Sequence, residues 1–327
     1  MVLTSATGPI LVTGAGGFIG QAVCAHLGHR GFEVRRLVRG LDTVTATRPG
    51  TLQVSDLAAM SDSMLAGVLR GAVTVVHLAA RVHRMNDAPR DKTADYRRAN
   101  VELTERIARA AAAMKVGHFV FASSVKVNGE ATLPGRPFRE SDPPDPRDAY
   151  AASKWEAERV LREVAEETGM RVTALRLPLT YGPGVKGNFA GLVRAIAKRR
   201  PLPFARIANR RSILGIGNLV SALERLVGDS DERQTARITP YFLADSHAVS
   251  TPDLVRAIAE ALGVTPRLFA VPPGLLEFAG ACAGRTTAVA RLTGSLEVDC
   301  TAFRERFGWS APYSLEAGLA ALVASPG

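Results

Sequence analysis

The chain reads as an α/β protein: a doubly wound parallel sheet followed by a smaller mixed α/β C-terminal domain. Three features carry that reading. Short apolar runs alternate with helical patterns through the first half. Those runs are too apolar to keep one face in water, as befits central parallel strands. A glycine-rich stretch, "VTGAGGFIG", joins the first run to the first helical pattern. The expected boundaries are 1–179 for the sheet domain and 180–327 for the smaller one, with the chain crossing back to the main sheet near 240–262.

The elements follow in order. "PILVTG" (9–14) is the first strand, and a helix runs from about Gly17 to His29. "EVRRLVR" (33–39), "TLQVSD" (51–56) and "TVVHLAA" (74–80) supply the next three strands. A long helical pattern over 93–114 leads to "HFVFASS" (118–124), and another over 149–168 leads to "RVTALRLP" (171–178). After Pro178 the character changes. "TYGPGVKGN" is loop-like, a basic helix covers 189–200, and "GNLVSALERLVGD" is helical. "ITPYFLAD" returns to strand, and "STPDLVRAIAEALG" is a helix with Ser250 at its N-cap position.

The 327 residues, 46% apolar and 22% charged, suffice for a large core of ordinary globular type. The amino terminus lacks the basic region of a signal peptide. The most apolar late segment, "GLLEFAGACAGRTTAVARL", carries Glu277, Arg285 and Arg291, which argues against a membrane span. Cys24, Cys282 and Cys300 are far apart and odd in number, the pattern of reduced thiols in a cytoplasmic protein, with no metal-ligand spacing. The net charge of +10 fits a polyanionic small ligand or an arginine-rich surface. It does not point to nucleic acid, because the basic residues are scattered and aromatics do not interleave with them.

Gly14, Gly17 and Gly20 stand in GxxGxxG spacing between a strand and a helix. Glycine there permits a tight turn, lets backbone approach a pyrophosphate and allows close helix–sheet packing, while the helix N-terminus faces the anion. The alternative is a turn that merely happens to be glycine-rich. The end of the second strand separates two cofactors: an acid binds the ribose hydroxyls of NAD, an arginine takes the 2′-phosphate of NADP. The sequence there is "VRRLVRGLD", with Arg39 at the deciding place, Arg35 and Arg36 nearby and Asp42 further into the loop. NADP(H) is favoured over NAD(H). Asp56 ends the third strand on the adenine side, and His77 reads as a packed histidine rather than a catalyst.

"DAYAASKWEAE" places Tyr150 and Lys154 one helical turn apart on the same face. An ammonium beside a phenol lowers the phenol's pKa and makes it an acid/base near neutrality. Ser124, at the end of the preceding strand, is placed to orient a substrate oxygen. With the glycine loop upstream, this pattern resembles the extended short-chain dehydrogenase/reductases of the nucleotide-sugar epimerase, dehydratase and reductase group. The matching segments are "TGAGGFIG", Asp56-Leu57, "HLAA", Asn100 in "RRANVELT", Ser124, "YAASK", "LPLTYGPG" and the closing "FGW", in order over 13–309.

The resemblance implies a Rossmann-type sheet domain and a nucleotide-sugar-binding second domain. It implies Ser124, Tyr150 and Lys154 as the catalytic set, with Tyr150 and Lys154 also touching the cofactor. It adds Phe18, Ile19, Leu57, Leu78, Ala79, Ala80, Asn100 and Pro178 to the cofactor contacts. Asn188, Arg211 and Arg291 match substrate-diphosphate positions, while Ser212 and Ser295 stand where such enzymes often carry Asp. Dehydratases of this group follow the hydroxyl directly with an Asp-Glu pair; here Val125 and Lys126 follow, so elimination of water lacks its agents. The family's "VYG" reads Val127-Asn128-Gly129, without the aromatic. The implied activity is oxidoreduction at C4 of a nucleotide-linked hexose, first as reduction of a UDP-4-keto-6-deoxy sugar for surface polysaccharide. The alternatives are a UDP-hexose 4-epimerase with retained NAD and a non-catalytic NADP-binding regulator. The helices "VELTERIARAAAAM" and "SKWEAERVLREVAEE" match the family's dimer-forming pair, so a homodimer is expected.

Overall fold

The computed structural model describes residues 8–39, 50–54, 56–81, 92–229, 238–284 and 286–324. The chain falls into two compact units. One holds Met1–Asn128, Pro143–Arg176 and Ala222–Tyr241; the other holds Gly129–Asp142, Leu177–Ser221 and Phe242–Gly327.

The first unit is built on a seven-stranded sheet. Its strands are β1 (Ile10–Thr13), β2 (Val34–Arg39), β3 (Thr51–Val54), β4 (Thr74–His77), β5 (His118–Ser124), β6 (Arg171–Leu177) and β9 (Ile238–Phe242). Their order is β3-β2-β1-β4-β5-β6-β9. The pairings of β1 with β2 and β4, of β2 with β3, and of β4 with β5 are parallel. Chain order reverses between β1 and β4, which makes the carboxyl ends of those two strands the switch point where such sheets bind ligands. Both strands are buried along their whole length, which explains their unbroken apolar sequences.

The helices of this unit are α1 (Phe18–His29), α2 (Asp62–Leu69), α3 (Lys92–Tyr96), α4 (Leu103–Ala113) and α5 (Ala149–Thr168). Leu11, Val75, Phe119, Ile107, Leu161 and Val164 meet in their core. The expected helix over 93–114 is broken into α3, a π-helical turn at Arg97–Glu102, and α4. The α2 helix was absent from the sequence reading. Its signal was Ser61, whose hydroxyl accepts from Met64 N at 3.2 Å, followed by Leu65 and Leu69 on the buried face. The strands expected over 9–14, 51–56, 74–80, 171–178 and 238–245 end early, at Thr13, Val54, His77, Leu177 and Phe242.

His77 packs as expected. Its ring bonds Thr13 Oγ1 at 2.8 Å and Thr104 Oγ1 at 3.0 Å, tying β1 and β4 to α4. Burial, helped by Lys154, pushes its pKa down to about 3, so the imidazole is neutral.

The second unit contains the parallel pair β7 (Leu179–Tyr181) and β8 (Ile213–Gly215). Its helices are α6 (Gly187–Ala197), the first part of α7 (Ile216–Val227), α8 (Thr251–Ala261), α9 (Pro273–Cys282), α10 (Thr286–Thr293), α11 (Thr301–Phe307) and α12 (Leu315–Ala324). Its core is centred on Tyr181, Phe189, Val255, Ile258 and Leu319. Tyr181 donates to Asp245 Oδ2 at 2.9 Å, and Asp245 Oδ1 accepts from Gly215 N and from Asn218 Nδ2 at 2.6 Å.

A buried ion pair fixes α5 against the first unit's sheet. Arg176 on β6 donates to Glu158 on α5 from Nε (3.1 Å to Oε1) and from Nη2 (2.7 Å to Oε2). Ser123 donates to the same carboxylate at 2.5 Å, and Arg176 Nη1 donates to Asn128 Oδ1 at 3.0 Å. Only 4% of the arginine side chain and 3% of the glutamate side chain meet solvent. A Glu158→Ala variant leaves the guanidinium buried and unpaired. We expect it to lose roughly 3–5 kcal/mol in urea unfolding, with Glu158→Gln losing less.

Candidate active site

The glycine loop follows β1 directly and opens α1. At Gly14 the backbone has φ +68°, and a Cβ there would lie 2.7 Å from Ala79 N. A Cβ at Gly20 would lie 2.2 Å from Gly14 O. Both positions exclude any side chain, and both bring backbone close at the sheet's switch point. Gly17 is the N-cap of α1 and no side chain caps it, nor does an acid stand in the first turn. The leading N–H groups and the helix dipole are thus presented to an anion. Phe18 and Ile19 are half-buried in that first turn, and Leu78, Ala79 and Ala80, also half-buried, leave β4 beside it. This backbone cradle suits a dinucleotide pyrophosphate.

Other expected cofactor residues take distinct places. Asp56 is exposed and closes its own turn, accepting from Ala58 N at 3.1 Å, while Leu57 packs on the core. Pro178 is buried at the β6–β7 junction. Asn100 is fully buried in the π-helical turn. Its amide accepts from Arg81 N at 2.7 Å and donates to Arg81 O and to Ser153 Oγ at 3.0 Å. Its polar atoms are thus engaged with protein, one of them with Ser153, the neighbour of Lys154. Arg39 is the last residue of β2, opposite Val54; its side chain lies outside the described residues, as does Asp42. Arg35 donates to the carbonyls of Val68 and Arg70 near the end of α2, at 3.3 and 2.5 Å, and is committed there.

Ser124, Tyr150 and Lys154 come together at the carboxyl end of β5 and the start of α5. The Ser124 hydroxyl lies beside that of Tyr150 and favours its ionised form. Asp148 caps α5, its Oδ1 accepting from Ala151 N at 2.7 Å. Lys154 is 2% exposed, donates to Ala122 O at 2.7 Å and lies 4.4 Å from the Phe121 ring centroid. The expectation that Lys154 lowers the Tyr150 pKa does not hold in this geometry. Burial first, then the Asp148 charge, push Tyr150 up to about 12, and the Ser124 hydroxyl offsets only part of this. Lys154 itself is pulled down to about 7 by burial, with Glu158 opposing. A lysine poised near neutrality can accept or release a proton next to the hydroxyl pair.

The residue types missed by sequence reading are the polar ones behind this group. Glu158 lies one turn past Lys154 on the buried face of α5, and Arg176 interrupts an apolar strand. A charge in either setting must be paired, and that was the available signal. Asn128, where the family's aromatic is missing, serves as the third acceptor of Arg176.

In the second unit the structure brings Arg211 and Arg291 together. Arg211 is half-buried and donates to Gly294 O at 2.9 Å; Arg291, on α10, donates to Glu130 at 3.0 Å. Burial, followed by the Arg291 charge, holds the Arg211 pKa below its ordinary value. Ser212 accepts from Val298 N and Ser295 from Arg210 N, so both hydroxyls hold backbone around the arginines. Asn188 is exposed in the first turn of α6 and is not part of that cluster's hydrogen bonds. Among the described residues no group of His, Cys, Asp or Glu is arranged to hold a metal, and no helix is long and apolar enough to cross a membrane.

The cradle makes one firm prediction. A Gly14→Ala variant, strained at positive φ and clashing with Ala79 N, should bind nicotinamide dinucleotide about tenfold or more weakly in fluorescence titration.

Comparison with known proteins agrees with this geometry. A family model described as the NAD dependent epimerase/dehydratase family matches residues 10–238. The UDP-glucose 4-epimerase of Vibrio cholerae is 37% identical over 311 residues, covering 94% of this chain and 92% of that protein. The N-acetyl-alpha-D-glucosaminyl-diphospho-ditrans,octacis-undecaprenol 4-epimerase of Escherichia coli O157:H7 is 27% identical over 95% of this chain and 92% of its own length. Among solved structures, MoeE5 in complex with UDP-glucuronic acid and NAD is similar with a TM-score of 0.74 at 26% identity, covering 97% of this chain and 98% of that one. The chain belongs to the NAD-dependent epimerase/dehydratase family, among the nucleotide-sugar enzymes of the extended short-chain dehydrogenase/reductase type.

Proposed function

We propose that the protein moves hydride at C4 of a nucleotide-linked hexose and that it works as a UDP-hexose 4-epimerase. The observation that carries this reading is the Ser124–Tyr150 hydroxyl pair beside buried Lys154, followed by Val125 and Lys126 rather than by an eliminating acid and base. A bound nicotinamide cofactor supplies the hydride acceptor and donor. Tyr150 removes the proton of the 4-hydroxyl and returns one when the alcohol is restored. Ser124 hydrogen-bonds the same oxygen, and Lys154, poised near neutrality, takes up the phenol's own proton as Tyr150 accepts one and gives it back in the return step. Chemistry at one carbon needs no base at C5. The neighbouring acid, Asp148, is taken up in capping α5 and in pairing with Lys126.

In this reading Gly14, Gly17, Phe18, Ile19 and Gly20 hold the cofactor pyrophosphate, Asp56 and Leu57 border the adenosine, and Leu78–Ala80 and Pro178 leave room for the nicotinamide side. Arg211 and Arg291 bind the substrate diphosphate, for which a bidentate guanidinium is suited, and Asn188 is a further substrate contact implied by the family resemblance. The relatives named as 4-epimerases support placing epimerisation first. A second reading, the 4-ketoreductase, is favoured by Arg39 at the end of β2, which suits NADP(H). A homodimer through the outer faces of α4 and α5 follows from the family resemblance.

Purified protein is denatured to release and identify its nucleotide, and fresh protein is then given UDP-glucose or UDP-N-acetylglucosamine. The epimerase reading expects released NAD and formation of the C4 epimer with no net change in cofactor. Stoichiometric NADPH oxidation with a UDP-4-keto-6-deoxy sugar, and no epimer, would establish the reductase instead. In either case Tyr150→Phe should lower turnover by roughly 10²–10⁴, while Arg211→Ala should raise KM more than it lowers kcat.

A further inference from the structure

We propose that the Lys126–Asp148 ion pair is a positioning device for Tyr150, in which Lys126 holds and offsets the carboxylate that caps the helix two residues before the phenol. The two charges come from the two segments that carry the hydroxyl pair. Lys126 sits in the short 3-10 turn Val125–Val127 directly after Ser124, and its backbone N donates to Ser124 Oγ at 3.3 Å. Asp148 is the N-cap of α5, two residues before Tyr150. Its Oδ1 is held by Ala151 N at 2.7 Å, and its Oδ2 accepts from Lys126 Nζ. The lysine side chain is 22% exposed and the aspartate 35%, so water screens the pair only in part.

Several groups face the phenol from the elements packed on it, among the described residues. Asp148 and Lys154 belong to its own helix. Ser124 comes from β5, and Lys126, in the turn after it, reaches the phenol through Asp148. Tyr96 comes from α3, its ring edge-on with centroids 6.0 Å apart. Of these, Asp148 and Tyr96 push the Tyr150 pKa up and the Ser124 hydroxyl pulls it down, against a larger upward push from burial. Lys126 is the counter-charge to Asp148. Neutralising the aspartate frees the phenol to ionise at lower pH, and removing the lysine leaves the full aspartate field on it. An acid at a helix N-cap is common. What this chain adds is a lysine from the serine's own turn, closing on that acid's second oxygen.

The inference rests on Tyr150 acting as the proton-transfer group, so its test reads the phenol itself as well as turnover. In cofactor-loaded enzyme, alkaline ultraviolet titration of each variant is compared with the same variant carrying Tyr150→Phe, which isolates the Tyr150 phenolate. The pH limb of kcat/KM assigned to Tyr150 is measured in parallel. Asp148→Asn keeps a capping side chain and removes the charge; its Tyr150 transition should move to lower pH. Lys126→Met should move it to higher pH, each by on the order of half to one pH unit. Lys126→Arg should stay near wild type, and the double variant should return towards it as the two shifts cancel. Lys126→Gln replaces Lys126→Met if the latter does not fold. Transitions unmoved in both single variants, with kcat merely lowered, would overturn the proposal and leave Asp148 a helix cap alone. Shifts as expected in an enzyme that turns over no UDP-hexose would uphold this pair while sinking the C4 reading. Turnover without the shifts would do the reverse.

Discussion

The setting of α5 depends on the buried Glu158–Arg176 pair. Its two parallel hydrogen bonds, closed on one side by Ser123 and on the other by Asn128, join β5, β6, α5 and the turn after Ser124 at one point. A buried ion pair of this kind need not stabilise the fold more than apolar packing would. What it supplies is directional. A helix packed only by Leu161 and Val164 tolerates small rotations and slides, whereas a bidentate guanidinium contact admits one rotation and one depth. Tyr150 and Lys154 lie two turns and one turn ahead of Glu158, so the same contact sets where their side chains meet Ser124. Glu158 also opposes the burial that lowers the Lys154 pKa. One interaction thus sets the placement of the site and moderates the charge of Lys154.

The group we propose for proton transfer, Tyr150, starts from an unusual balance. Tyr150 is held as a phenol by burial and by Asp148, while Lys154 is brought near neutrality by its own burial. A tyrosine lowered simply by an adjacent ammonium is not what the geometry offers. The lysine points at Ala122 O and the Phe121 ring, and its influence is shared with His77, whose pKa it depresses. Among the described residues, the carboxylate nearest the hydroxyl pair in sequence is not free for elimination. Asp148 is fastened at both oxygens, by Ala151 N and by Lys126.

Much of this was legible in the sequence because the signals were local. The glycine spacing marks a turn that must admit backbone on two sides, and Gly14 and Gly20 meet Ala79 and Gly14 at distances that no side chain survives. Alternating apolar runs mark buried parallel strands, and Tyr150 with Lys154 declares one helix face. The parts that were not legible depend on tertiary partners. The π-helical turn at Arg97–Glu102 breaks a pattern that reads as one continuous helix, because Asn100 is drawn inward to Arg81 and Ser153. The direction of the Tyr150 pKa follows from burial, which a heptad of residue names does not reveal. In the second unit, the arginines matched by resemblance are 80 positions apart in sequence and come together through the fold, Arg211 bonding the Gly294 carbonyl and Arg291 bonding Glu130.

The central claim is that hydride moves at C4 under proton control by Tyr150. The most direct measurement follows a UDP-hexose deuterated at C4 by NMR during turnover in ordinary water. The account predicts that the epimer forms with deuterium still at C4, more slowly than from unlabelled substrate, and that Tyr150→Phe abolishes it. Loss of the label to solvent, release of water from the sugar, or unchanged turnover by Tyr150→Phe would contradict it.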